Sequence, residues 1–416
     1  MSTAAIIAIG SEMLGPTRVD TNSLKLTAAL ESFAVPVVRK SVVGDRLSDL
    51  VDEIRFSLDH AGILLITGGL GPTEDDLTRE ALAEALGLEM EVDQSIIDRL
   101  ETRFAARGWK MPEVNKKQAN VFRGQTTLTN ERGTAPGFHL VQDGKHLWIF
   151  PGVPNELEWM IAKYLTPWLA STLGGRSRFR RVLKIVGLGE SMVEERIKPY
   201  YDAHRDEAPL TILATSGQTE LHLAADGDEA AARAILADRE RELLALLGER
   251  VYGFDDDTLE GVVGRLLLER NATLATAESC TGGLLASRIT DVAGSSGYFA
   301  GGGVCYTAAT KIAVAGVDPA LIREHGEVSE AVAVALARGI RERFGATYGV
   351  GVTGIAGPGG GTPEKPVGTV HIAVASAAET HEHRKLFWPM GRALFKLFST
   401  QSALDLLRLS LLRAPR

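Results

Sequence analysis

Three apolar runs, IIAIG at 6–10, VPVVRKSVV at 35–43 and GILLITGG at 62–69, are separated by two segments of helical periodicity, DTNSLKLTAALESF and LSDLVDEIRFSLDH. Parallel strands cannot be joined by tight hairpins, so each connection has to be a crossover that lays a helix on a sheet face. This alternation predicts a mainly parallel sheet covered on both faces. The first domain runs over 1–172 and closes with KHLWIFPG, PNEL and a helix to Ser171.

LGGRSRFRR then breaks the pattern and reads as a solvated hinge rather than a nucleic-acid patch. From 177 to 252 the order is strand, helix, two strands, helix, strand, which predicts a small α+β domain of split βαβ, KH-like type. It carries no cluster of catalytic residue types, so a spacer or dimerisation role is expected, with a homodimer as the assembly.

The acidic turn FDDDT opens a third domain, 256–416, where Thr258 or Asp257 can cap the helix LEGVVGRLLLER. Strands ATLATAE, GYFAGGGVCY, TYGVGVTG and HIAVASA alternate with helices GGLLASRIT and SEAVAVALARGIRERFG, and ALFKLFSTQSALDLLRLSLL ends the chain as a helix. The fold class is therefore α/β: two three-layer α/β/α domains flanking the small one.

A chain of 416 residues with 45% hydrophobic and 24% charged residues can build such cores without staples. Cys280 and Cys305 form no CxxC pair, no stretch has the length of a membrane span, and MSTAAIIAIGSEMLG shows no basic leader. A reducing cytoplasm is the expected compartment. A net charge of −8, with acids and bases mixed, makes nucleic acid an unexpected partner.

In the third domain, AESCTGG sits where a buried strand ends and a helix begins. The Ser279 hydroxyl there projects from a tight turn, and free N–H groups of the helix start can converge on what it attacks. Gly282 and Gly283 allow close backbone approach. Ser279 is equally a helix cap by type. GGGVCYTAATK supplies Tyr306 and Lys311; Lys311 can act as a base if burial leaves the amine neutral. Thr353-Gly354 ends a strand before the loop IAGPGGGTPEKP, which is either a phosphate cradle or a mobile surface loop.

In the first domain, ITGGLGPTEDDLTRE follows a buried strand. Its amides can face a phosphate while Asp75 and Asp76 hold a divalent cation, or the two acids can simply cap the next helix.

AESCTGG, YTAATK, HGEVSE, VTGIAGPGGG and TPEKPVGTV, in this order, resemble the carboxy-terminal domain of the CinA family, a nicotinamide-nucleotide amidohydrolase. The resemblance implies that nicotinamide mononucleotide loses ammonia without a cofactor. Ser279 is then the nucleophile, Lys311 its base and Tyr306 an assistant, with amides near Cys280, Thr281 and Gly282 holding the oxyanion. Cys280 is the rival nucleophile by type. Gly283, Thr353, Gly354 and Arg392 complete the expected substrate contacts. The chain departs from the family in PMGRALFKLFSTQ, which lacks the usual Gly-Asp-Arg start and leaves Arg392 and Lys396 to face the phosphate. It departs again at Ala308, where asparagine is common.

GSEMLGPTRVDTNS, GGLGPTEDDLTRE, NKKQAN, GTAPGF and PGVPNEL resemble the family's amino-terminal domain, of molybdopterin-binding fold. That resemblance implies metal-dependent cleavage of ADP-ribose. Asp76 is the leading acid, Asp45 and Glu12 are further metal ligands, and Asn22, Gly68, Gly69, Gly71, Thr73, Asp75 and Thr78 lie around the phosphates. Asn115 and Lys117 are weaker candidates. The competing readings are a pterin-binding or scaffold protein with a silent first site, and a competence or DNA-repair accessory.

Overall fold

The computed structural model describes residues 3–173, 177–204, 210–215, 217–376 and 381–414. The chain divides into two compact units: one runs through Phe179 and includes Ala225–Arg233, the other takes Arg180–Ala224 and Ala234 onward.

In the first unit, strands Val37–Val43, Ala4–Ile9, Ile63–Thr67 and Lys145–Phe150 lie side by side in parallel. Gly137–Gln142 and Thr126–Leu128 extend the sheet antiparallel. Ala4–Ile9 is buried throughout because both faces are covered. Ala5, Ile7 and Ile9 join one core with Leu50, Ile54 and Leu58 of helix Leu47–His60, whereas Ala4 and Ile6 join another with Leu26, Leu30, Leu157 and Leu169. The period of two along a strand thus feeds two cores, and this produces the three layers.

Strands Leu210–Thr215, Gln218–Gly227, Ser177–Val186 and Val251–Phe254 form one sheet in that order, with helices Glu190–Ala203 and Glu229–Leu247 between them in sequence. This is the expected split βαβ order. The basic segment is not the solvated hinge expected from the sequence. Residues from Ser177 on are a strand, with Arg178 paired to Asp226 and Arg181 to both Glu240 and Asp255. Arg176 lies outside the described residues.

The remaining sheet orders Phe299–Val304, Leu274–Glu278 and Tyr348–Gly354 in parallel, then Thr369–Ser376 and His381–Phe387 antiparallel. Helix Glu330–Phe344 lies so close to Tyr348–Gly354 that a Cβ on Gly349 or Gly351 would come within 2.0 Å of Ala337 O or 2.3 Å of Ala333 O. Only glycine fits there. Helix Arg392–Arg413 covers the opposite face with Phe395, Leu404 and Leu407. Among the described residues, no helix is long and apolar enough to cross a membrane.

Candidate active site

Leu274–Glu278 is a buried strand, and Ser279 continues its ladder by donating its N–H to Val352 O at 2.9 Å. The chain then turns: Gly282 (φ 62°) and Gly283 (φ 94°) take left-handed conformations, and helix Leu284–Thr290 follows. Two successive positive φ values require glycine. Gly282 N–H donates to Ser279 O at 3.1 Å, closing the turn.

The helix start does not offer its amides to a substrate, contrary to the sequence expectation. The buried Glu278 carboxylate accepts the N–H groups of Gly283 (3.0 Å), Leu285 (3.0 Å) and Ala286 (2.8 Å). A carboxylate suits this position because it meets the unpaired donors and the positive end of the helix dipole together. Gly282 N–H is engaged as well, so of the amides at this turn that of Cys280 has no backbone acceptor among the described residues. Thr281 is fully buried, and its hydroxyl has no hydrogen-bond partner among the described residues. The Ser279 hydroxyl has no hydrogen-bond partner among the described residues, so it is not spent as a helix cap.

Cys280 is 5% exposed, and burial pushes its thiol up to about 12, with Glu278 adding to the rise and Lys311 and Arg392 opposing it. It is a thiol at neutral pH and a poor rival to Ser279.

Lys311 is 1% exposed, on helix Ala308–Ala315. Burial matches the expectation, but its Nζ donates to Glu327 Oε2 at 2.7 Å and to Tyr306 O at 3.5 Å, not to Ser279. An ammonium held by a carboxylate cannot accept a proton, so a base role requires its proton to pass to Glu327. Catalytic hydrogen bonds often form only with substrate bound. Thr353, expected to touch substrate, is buried and donates its hydroxyl to Glu327 O at 2.8 Å, fixing the partner of Lys311. Gly354 is likewise a packing position: a Cβ there would lie 3.1 Å from Cys280 Sγ and 2.8 Å from Thr369 O.

Tyr306 is half-exposed, and its hydroxyl accepts a 2.6 Å hydrogen bond from Arg392, which also donates to Gly357 O at 2.9 Å. Arg392 so joins the segment after the strand to the Gly/Pro loop. Lys396 Nζ lies 3.7 Å from the Cβ position of Gly282. Ser279, Tyr306, Lys311, Arg392 and Lys396, spread over more than a quarter of the sequence, meet at one strand end. Glu278 and Glu327 were not assigned roles from the sequence. An acid closing an apolar strand just before a helix was the available signal for Glu278.

In the first unit, the loop after Ile63–Thr67 is held by its own side chains. Thr78 Oγ1 donates to Gly68 O at 2.8 Å, and the Thr73 N–H (2.9 Å) and hydroxyl both donate to Asp76 Oδ2. Thr78 is fully buried and thus a loop support rather than a phosphate contact. Gly68 (φ 106°) and Gly69 (φ 62°) need their missing side chains, since a Cβ would strike Ile9 O at 2.3 Å or Thr78 Oγ1 at 2.2 Å. Gly71 likewise leaves room for the Asp76 carboxylate. Lys117 reaches the loop by donating to Thr73 O at 3.0 Å. Asn22 donates to Thr67 Oγ1 and Gly152 O, leaving its buried Oδ1 unpartnered. Asn115 is buried and bonds Gln118.

Asp45 accepts the Ser11 N–H at 2.8 Å, and Glu12 folds over Gly10. Among the described residues no three His, Cys, Asp or Glu side chains gather to hold a metal ion. Asp76, Asp45 and Glu12 are therefore not a ligand set. Asp75 and Asp76 are the acids on the loop after Ile63–Thr67, and among the described residues no cation cage is built there.

Comparison with known proteins matches residues 256–411 to the "CinA C-terminal domain", 180–253 to the "Damage-inducible protein CinA KH domain" and 5–171 to the "Probable molybdopterin binding domain". A CinA-like protein of Solibacter usitatus is 44% identical over 407 residues, 97% of each chain. Another, of Acidobacterium capsulatum, is 46% identical over 413 residues, covering 97% of this chain and 99% of its own. Among solved structures, competence/damage inducible protein CihA from Agrobacterium tumefaciens is 36% identical, with a TM-score of 0.36, across 38% of this chain and 98% of its own.

Proposed function

Because the chain belongs to the CinA family, we propose that its third domain removes ammonia from nicotinamide mononucleotide, with Ser279 as nucleophile. The observation that carries this reading is the Ser279 hydroxyl, unspent at a buried strand end, with buried Lys311 donating to Tyr306 O just past the neighbouring strand Phe299–Val304. Ser279 Oγ attacks the carboxamide carbon and its proton passes to the Lys311 amine, once Glu327 has taken the ammonium proton. The Cys280 amide meets the developing oxyanion. The proton held by Lys311 goes to the departing nitrogen, and the C–N bond breaks to give ammonia and an ester on Ser279. Water then adds to the ester, giving its proton back through Lys311 to Ser279, and the free acid leaves. Arg392 and Lys396 supply positive charge for the nucleotide phosphate.

The first domain, on the same family ground, cleaves ADP-ribose at its pyrophosphate, bound against the loop from Gly68 to Thr78. No step is assigned to a metal there, since no cage of ligands is assembled.

The test is ammonia release from nicotinamide mononucleotide by the purified chain and by Ser279→Ala. Release by the former and none by the latter, with nucleotide binding retained, is expected. No release by the wild-type chain, or equal release by both, refutes the assignment.

A further inference from the structure

A cavity of about 570 Å³ lies within the second unit, between the small α+β domain and the third domain. None of the residues of the catalytic turn lines it. The volume suits a mononucleotide, in the range where pockets enclose small ligands.

Two kinds of group line the cavity. One wall is aromatic and apolar: Trp388 and Phe398, ring centroids 5.3 Å apart, with Leu386. The other wall is built to meet negative charge. Helix Glu190–Ala203 starts here at Gly189 with no side-chain cap; Met192 and Val193 donate to Gly189 O, which leaves the Glu190 and Ser191 amides uncapped. Arg250 reaches over the same turn, its Nη1 2.8 Å from the Cβ position of Gly187, whose φ of 73° brings bare backbone to the cavity.

The charges around the cavity are not equal. Asp405 is 1% exposed and held by Arg384 at 2.8 Å and Arg408 at 2.7 Å, so its carboxylate is answered within the protein. Glu190 is exposed and can turn to solvent. Arg250 is half-buried and makes no hydrogen bond or ion pair among the described residues. A half-buried guanidinium without an acceptor and an uncapped helix start suit an anion, and the aromatic pair lining the same cavity suits a planar ring joined to it.

We infer that this cavity binds a nucleoside monophosphate, its ring against Trp388 and Phe398 and its phosphate at Arg250 and the start of helix Glu190–Ala203. The site is separate from the Ser279 turn, and the inference does not depend on what that turn does.

Trp388 makes the test specific, because the other four tryptophans, at 109, 148, 159 and 168, all lie in the first domain. Adenosine 5′-monophosphate is titrated into the full chain while tryptophan emission is followed. Saturable quenching is expected, absent in Trp388→Phe and unchanged in Ser279→Ala. Arg250→Ala should weaken binding by roughly tenfold or more, the loss of one charge-assisted phosphate contact, without altering the unfolding temperature. Adenosine, which lacks the phosphate, should bind the wild-type chain as weakly as the monophosphate binds Arg250→Ala. No saturable quenching up to millimolar nucleotide overturns the inference. So does quenching that persists in Trp388→Phe, or an Arg250→Ala variant that binds as tightly as wild type.

Discussion

Glu278→Gln is the perturbation that the structure makes most quantitative. The carboxylate takes Gly283 and Leu285 N–H on Oε2 and Ala286 N–H on Oε1, all inside a residue 1% exposed. Glutamine keeps the shape but turns one oxygen into an NH2 group. Whichever way the amide is set, an NH2 then faces at least one backbone N–H, and the negative charge at the helix start is gone. Losing one charge-assisted hydrogen bond and leaving its donor buried costs about 2 kcal/mol, and the lost interaction with the helix dipole adds about 1 kcal/mol. The second unit should lose about 3 kcal/mol. With a urea slope of about 2 kcal/mol per molar, its unfolding midpoint falls by about 1.5 M. Urea unfolding followed at Trp388, isolated by difference from Trp388→Phe, reads that unit alone. Ammonia release should fall too, since the same contacts hold the Ser279 turn. A midpoint within about 0.3 M of wild type would show that the carboxylate is not what fixes the helix start.

Cys280→Ala should keep ammonia release. Because burial holds the thiol up to about 12, iodoacetamide should leave Cys280 unmodified in the folded chain across the neutral range; rapid alkylation there would restore the cysteine as a nucleophile. Glu327→Gln removes the carboxylate to which Lys311 donates, the acceptor that the proposed proton path needs. Ammonia release should fall by about tenfold or more in Glu327→Gln and vanish in Lys311→Arg; wild-type release by Glu327→Gln contradicts the proton path. Asp76→Asn can still accept from Thr73 and so keeps the loop folded. It should leave ammonia release unchanged, because the two sites have separate cores. Loss of both activities in a folded variant would show that the two sites are coupled.

The sequence disclosed what depends on local pattern. Ile63–Thr67 and Ala4–Ile9 are legible as strands because burial on both faces leaves no polar residue to interrupt them. Helix Leu47–His60 is legible because Leu50, Val51, Ile54 and Leu58 recur at helical spacing. The edge strand His381–Phe387 escapes such reading, since HEHRKLF faces water and carries charge in place of an alternating apolar face. Gly137–Gln142 was missed although its signal was present: Asp143 (φ 51°) and Gly144 (φ 75°) form the Asp-Gly turn that joins it to Lys145–Phe150.

The candidate site divides along the same line. Ser279, Tyr306 and Lys311 were readable because each closes or follows a strand. What they bond was not. Glu278 is satisfied by backbone amides, which leave no trace in residue identity, and Glu327 meets Lys311 only because Thr353 pins its carbonyl from a different strand.

That difference changes the electrostatics of the proposed reaction. A helix start left open at Ser279 would have placed its dipole on the substrate. With those amides given to Glu278, the helix instead anchors the turn, and positive charge for a phosphate has to come from side chains. Arg392 and Lys396 open the last helix, Arg392 tied to Tyr306 and Lys396 beside Gly282. In the proposed reaction the departure from the family's usual helix start at Gly391 falls at the end assigned to the substrate phosphate, whereas the helix packs through Phe395 and the residues after it.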